Sequence, residues 1–226
     1  MDLELCQLNK LYVHSLVSYN RILMQRNRLL KDLAFKPEYE ETLDVWDLQL
    51  AQYGREIIQY RERFISQLNS IIGEIHRKLS GNRENLSIVY DPCSLPDRLE
   101  EEIRRSRLSD MKQETSLIGP HRDDIGFYMD GIDIRRFGSQ GQQRTAALSL
   151  KLAEIELVKK LVKDYPVLLL DDVLSELDGE RQNHLLSAID QIQTMITCTG
   201  LEDFVNNRFP IDRLFKVVDG VVIQEN

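Results

Sequence analysis

The chain has 226 residues, 42% of them hydrophobic, enough for one large or two small domains with a packed core. Acidic side chains outnumber basic ones 37 to 29, and the net charge of −8 argues against a generally basic nucleic-acid coat. Cys6, Cys93 and Cys198 lie too far apart for a zinc site or a disulfide framework, and no run reaches membrane-span length or reads as a leader, so the expected setting is a reducing cytoplasm.

From about Leu5 to Leu33, steps of three and four connect Leu5, Leu8, Tyr12, Leu16, Tyr19, Leu23, Leu30 and Leu33, with Arg26 on the same face. This spacing predicts one helix. Ala34–Glu41, which contains Pro37, predicts a helix–helix turn. A second helix is predicted from about Thr42 to Ser80, with the stripe Trp46, Leu50, Tyr53, Ile57, Tyr60, Phe64, Leu68, Ile71, Ile75 and Leu79, stopping at Gly81-Asn82. Two such helices pack antiparallel as a coiled-coil-like hairpin arm, and the same stripes also fit a plain helical core.

Leu86–Tyr90 reads as a strand ended by Asp91-Pro92, and 97–113 as a charged helix. Its Arg104, Arg105 and Arg107 sit beside Glu100, Glu101 and Glu102, so a solvated face is preferred to a phosphate-binding patch. Ile125–Met129, Asp130-Gly131 and Ile132–Ile134 read as strand, two-residue turn and strand.

Next comes Phe137-Gly-Ser-Gln-Gly-Gln-Gln-Arg144, followed by a run of good helix formers to about Lys163. A helix starting near Gln140 offers unpaired N–H groups, the Ser139 hydroxyl, and a glycine that lets a ligand come close: a phosphate-facing surface. Ordinary capping is the alternative. Pro166 precedes a buried strand, Val167–Leu170, which ends in Asp171 and Asp172; adjacent carboxylates there suit Mg²⁺ beside a nucleotide, or a strand end in solvent. Asp178 is placed to cap a helix through about Ile189. A strand at Met195–Thr199, a helical turn near Leu201–Asn206 and a hairpin of Leu214–Val218 with Val221–Gln224 complete the chain. The strand–helix alternation of this half predicts an α/β layer with a parallel sheet.

Three blocks, taken together, resemble the C-terminal part of the RecF recombination-mediator family, a DNA-repair branch of the ABC-type ATPases. They are Gly119-Pro-His-Arg-Asp-Asp124, the run from Gly138 to Glu154, and Leu168-Leu-Leu-Asp-Asp-Val-Leu-Ser-Glu-Leu-Asp178; Gln25-Arg-Asn-Arg-Leu-Leu30 is a weaker fourth. The resemblance implies a helical arm over 1–113 and, over 114–226, the C-terminal half of an ABC-type ATPase head with β-hairpins. Ser139, Gly141 and Gln142 then correspond to the signature motif, which contacts the γ-phosphate held by a partner subunit. Asp171 corresponds to the Walker B carboxylate supporting Mg²⁺, and Asp172 to the carboxylate that polarises the attacking water. Ser175 and Asp178 belong to the loop that crosses the dimer interface.

Asp172 stands where many ABC ATPases have Glu, which implies slow hydrolysis, and Thr197-Cys198-Thr199-Gly200 lacks the His often found on the following strand. None of the 11 glycines is followed by lysine, so the Walker A loop that cradles ATP is not in this sequence. The family carries that loop in an N-terminal region, and the chain alone is expected neither to bind ATP tightly nor to hydrolyse it. It is also expected to leave a sheet edge or apolar patch exposed. The resemblance implies an ATP-bridged dimer that binds DNA at duplex/single-strand junctions and helps to load recombinase with RecR and RecO partners. The alternative is a non-enzymatic module whose helical arm docks a partner protein. Arg135 and Arg136, or Arg55, Arg61 and Arg63 of the arm, are candidate DNA contacts, each read in preference as solvated surface. His121 is read as a structural histidine.

Overall fold

Helix α1 (Asp2–Leu8) and helix α2 (Lys10–Asp32) replace the single expected helix because Asn9 interrupts it. Asn9 is extended, and its side-chain oxygen accepts from the Leu11 and Tyr12 amides at 2.9 and 3.3 Å, capping α2. A 3₁₀ turn, Pro37–Thr42, reverses the chain into α3, Leu43–Leu79. At about 1.5 Å per residue α3 is roughly 55 Å long, and α2 packs along it. The computed structural model describes residues 1–163, 167–177, 179–189, 192–198 and 211–225, which form two compact units, Met1–Asp164 and Tyr165–Asn226. Packing therefore divides the chain at 164/165, while the expected arm–head boundary falls near 113/114.

The buried face of α3 is broader than the expected stripe. Leu50, Ile57, Phe64, Leu68 and Leu79 are buried as the period requires, but so are Asp47, Arg61, Ile72 and His76. The cause is that α3 is covered from several sides, by α2, by strand β1 (Leu86–Asp91), by helix α4 (Leu99–Gln113) and by helix α6 (Gln140–Val162).

β1 pairs antiparallel with β2 (Asp124–Met129), which pairs with the short β3, Ile132–Asp133. Asp130 and Gly131 both take positive φ, 49° and 83°, as the two-residue turn requires. The third strand is shorter than expected because Asp133 accepts from the Arg135 amide at 2.9 Å and starts helix α5, Ile134–Phe137. In the second unit β4 (Leu168–Asp171) and β5 (Thr194–Thr197) pair in parallel, and helix α7 (Gly179–Ala188) lies between them in sequence. β6 (Leu214–Val218) and β7 (Val221–Glu225) form the expected hairpin. The expected buried strand is not buried throughout: Leu170 is buried, but Val167 and Leu169 are exposed, as is Met195, the partner of Leu169 on β5. The expected segments at Pro166, Thr199-Gly200 and Leu201–Asn206 fall outside the described residues.

The helical part is held by a buried charge. Arg26 is fully buried. Its Nε donates to Asp47 Oδ1 at 2.7 Å, and its Nη1 donates to Asp110 Oδ2 and Ser116 Oγ, both at 2.7 Å. Asp47 Oδ2 also accepts from Arg107 Nε at 2.6 Å, and Asp110 Oδ1 accepts from the Leu117 amide at 3.1 Å. One guanidinium thus ties α2, α3, α4 and the loop carrying Ser116 together. Removing it would strand two carboxylates in a dry interior. Arg26→Ala is expected to lower the unfolding free energy by about 3–5 kcal/mol, read as a shift of the urea midpoint; a change under about 1 kcal/mol would show that water or rearranged partners satisfy both carboxylates.

Candidate functional site: an exposed helix tip and a strand-end carboxylate pair

Ser139 is the N-cap of α6 and is exposed. Its Oγ accepts from the Gln142 amide at 3.2 Å, and Gln142 Oε1 accepts from the Ser139 amide at 2.9 Å, a complete capping box. Gly138 lets the chain turn out of α5: a Cβ there would stand 2.5 Å from the Ile134 carbonyl oxygen. Gln143 Nε2 donates to that same oxygen at 2.9 Å, and Thr145 Oγ1 donates to the Gly141 carbonyl at 2.8 Å. The tip is therefore fixed from both sides. The Gln140 and Gly141 amides, at the first turn of the helix, have no intrahelical acceptor. The cap uses Ser139 Oγ as an acceptor, so its proton can still be given to a ligand oxygen. A capped, rigid, exposed helix N-terminus of this kind is chemically suited to a phosphate. Gln142 gives its backbone amide to Ser139 Oγ, accepts the Ser139 amide on Oε1 and donates Nε2 to Glu84 Oε1 at 3.0 Å, so both polar atoms of its side chain are engaged within the protein.

In the second unit β4 ends at Asp171, and both Asp171 and Asp172 are exposed. Thr197, opposite on β5, donates its hydroxyl to Asp171 Oδ1 at 2.5 Å. The Asp172 amide donates to the Thr197 carbonyl and hydroxyl oxygens at 3.2 and 3.1 Å. Asp172 takes a left-handed conformation, φ 52° and ψ 18°. Asp accepts that region at lower cost than most side chains, which gives a physical reason for Asp in place of the longer Glu. Thr197, read from sequence only as part of a strand without histidine, fixes both aspartates. Among the described residues no group of three or more His, Cys, Asp and Glu side chains is placed to hold a metal ion. One exposed carboxylate with a single oxygen bonded to Thr197 fits an Mg²⁺ that keeps waters and phosphate oxygens as its other ligands. Ser175 lies on the 3₁₀ turn Val173–Glu176 that follows, and Asp178 falls outside the described residues.

The Gly119–Asp124 block is a framework. Gly119 has φ +139°, and a Cβ there would collide with the Tyr19 hydroxyl. His121 Nε2 donates to the Ser116 carbonyl at 3.0 Å, which leaves Nδ1 to accept from the Tyr19 hydroxyl at 2.6 Å. Asp123 accepts from Tyr90, from the Cys93 amide at 2.9 Å and from Arg61 Nη1 at 3.2 Å. A cavity of about 620 Å³ opens beside these groups, lined in part by Tyr19, Arg61, His121 and Arg135, but its charged groups are largely engaged with one another. Arg61 is not a solvated or DNA-facing arginine. It is buried and donates to Asp2, to Tyr12 and, at 2.6 Å, to the Pro120 carbonyl. Periodicity could not find this, because an arginine on an apolar stripe reads as an edge residue. The remaining basic candidates are more exposed. Arg135 pairs with Asp124 at 2.8 Å, Arg55 with Glu100 at 2.8 Å and Arg104 with Glu100 at 3.2 Å, Arg105 pairs with Glu101, and Arg63 is exposed.

The chain is 56% identical over 228 residues to a DNA replication and repair protein RecF of Lachnospira eligens, covering 100% of this chain and 63% of that relative. The RecF of Agathobacter rectalis is 56% identical over 222 residues, 98% of this chain and 61% of its own length. A solved structure of the recombination mediator protein RecF with ATP, in the RecFOR pathway, matches 100% of this chain with a TM-score of 0.88 at 33% identity. The chain belongs to the RecF family. It corresponds to the C-terminal portion of that family and spans about three-fifths of the length of the relatives it matches. RecF with ATPrS gives a TM-score of 0.87 over 99% of this chain at 34% identity and is covered to 61%. No family model matches the chain. The RecF structures share the mixed α/β fold, with its helices and parallel strand pair. Among the described residues no helix is long and apolar enough to cross a membrane.

Burial lowers the pKa of His121 below its ordinary 6.5, although the Ser116 carbonyl acts in the opposite sense. The folded state then binds fewer protons than the unfolded one as pH falls through the unfolded pKa, so stability falls in that direction. The urea midpoint is expected to drop between about pH 7.5 and about pH 5.5, and to drop less in His121→Gln. An equal drop in both would place the titration elsewhere.

Proposed function

We propose that this chain supplies the partner-facing half of an ATP-dependent clamp. In the full-length protein, ATP held by one copy is completed by the Ser139 tip of a second copy, and the resulting dimer closes on DNA at duplex/single-strand junctions. The observation that carries the reading is the exposed, doubly fixed cap at Ser139, which spends its side-chain acceptor internally and keeps donors for an external anion. The solved RecF structures with ATP and ATPrS support nucleotide binding in the whole protein. The RecFOR pathway named with those structures supports RecR- and RecO-type partners, and recombinase loading is the output we assign to the clamp.

Within this reading Asp171 holds Mg²⁺, which when bound would neutralise charge on the phosphates. Thr197 fixes the rotamer of Asp171 by occupying one oxygen. Asp172 orients the attacking water, and Ser175 and Asp178 belong to the segment at the dimer interface. Hydrolysis by the complete protein is slow, as suits a timing switch. The functional division is an arm over 1–113 and the C-terminal part of an ATPase head over 114–226. DNA contact rests on a local basic face, since the chain as a whole is acidic.

Ser139→Arg places a long cation where a phosphate oxygen has to approach. In the full-length protein it is expected to abolish ATP-driven dimerisation in light scattering while nucleotide affinity stays within about twofold. Dimerisation unchanged by this substitution would sink the clamp and favour the arm-docking module. Asp172→Asn is expected to lower ATP turnover by at least about tenfold and to prolong the dimer. For the 226-residue chain alone, titration calorimetry is expected to show no micromolar ATP binding.

A further inference from the structure

Gln142 does more than close the cap. Its Oε1 is held by the Ser139 amide, so its Nε2 points away from the tip, where it donates to Glu84 Oε1 at 3.0 Å and also meets Met129 Sδ at 3.3 Å. Glu84 lies in the short link between α3 and β1 and is largely covered, with 19% of its side chain exposed. Its other oxygen, Oε2, stands 3.3 Å from His76 Nε2. His76 is fully buried in the last turn of α3. The Ser149 hydroxyl spends its proton on the Thr145 carbonyl at 2.7 Å, so it accepts from His76 Nδ1 at 2.8 Å. Thr145 and Ser149 lie on α6, the helix whose tip Ser139 caps. The root of the long helix α3 is therefore bonded to α6 through the His76–Ser149 contact on its flank, and the link that follows α3 reaches the tip of α6 through the Glu84–Gln142 bond.

We infer that Glu84 is a positioning residue for the Ser139–Gln142 tip, tying it to the root of α3 so that a displacement of the arm is felt where the partner's phosphate is met. The inference deepens the clamp proposed above and rests on it for its functional meaning; the bond itself does not. The chemistry also explains the residue type at 142. A capping box accepts Glu or Gln at this position. With a carboxylate already at 84, a glutamate at 142 would set two anions about 3 Å apart, whereas the glutamine amide turns a donor toward Glu84.

The test uses four forms of the full-length protein: Glu84→Ala, Gln142→Glu, Glu84→Gln and the exchanged pair Glu84→Gln/Gln142→Glu. Amide hydrogen exchange is read by mass spectrometry on peptides covering the tip, 137–143, against peptides in the middle of α6. Glu84→Ala and Gln142→Glu are each expected to speed exchange at the tip about tenfold, with the middle of α6 unchanged. The exchanged pair restores the donor–acceptor match with its direction reversed and is expected to return the tip to slow exchange. Glu84→Gln alone keeps an acceptor for Gln142 and is expected to remain near the parent protein. A functional readout runs alongside: Glu84→Ala weakens ATP-driven dimerisation with nucleotide affinity unchanged. Tip exchange indifferent to Glu84→Ala, or an exchanged pair as fast as Gln142→Glu alone, overturns the assignment. Failure of the unsubstituted protein to dimerise with ATP would count against the clamp, and the exchange pattern would then decide for or against Glu84 by itself.

Discussion

A cation with no access to water has to be matched by anions, and most of the helical unit can be understood from that constraint at Arg26. Its carboxylate partners come from α3 and α4, and its hydroxyl partner from Ser116. Because each partner would be costly to leave alone, the three helices and the loop have essentially one mutual arrangement. Ser116, whose amide and hydroxyl both donate to Asn27, then sets the start of the segment that carries Gly119 and His121. Arg61 repeats the device further along α3, reaching the Pro120 carbonyl and Asp123. Two buried arginines therefore convert a pair of helices, which could slide along an apolar seam, into a base with fixed register.

That fixed base gives the Ser139 tip its meaning. A helix N-terminus attracts anions only weakly if it frays, and here the cap, the Gly138 turn and the Gln143 bond to α5 hold its donors in place. The carboxylate pair at the end of β4 is organised by a different device, a threonine on the neighbouring strand that bonds one aspartate by its side chain and the next by its backbone. The tip is a donor surface and the strand end an acceptor surface. A nucleotide triphosphate with a divalent cation calls for both kinds of chemistry.

Much of this was legible in the sequence, for physical reasons that can be named. Asp130-Gly131 announced a hairpin because few other residue pairs tolerate two successive positive φ values. The start of α6 was legible because a long run of good helix formers follows the glycines at 138 and 141, and the family resemblance followed from blocks of residues in order. What escaped was buried polarity. Arg26 was seen to fall on an apolar face, but its carboxylate partners are 21 and 84 residues away, a separation no local period can report. Arg61 was set among surface arginines for the same reason. Asn9 breaks the helix without breaking the apolar spacing on either side, and the role of Thr197 exists only through strand pairing.

The most direct measurement is a structure of the full-length protein dimerised with a slowly hydrolysed ATP analogue. The account requires Ser139 Oγ, and an amide of the first turn of α6, to lie within about 3 Å of a γ-phosphate oxygen on nucleotide bound by the other copy. A dimer in which that tip faces solvent, or serves the nucleotide of its own chain, would contradict it.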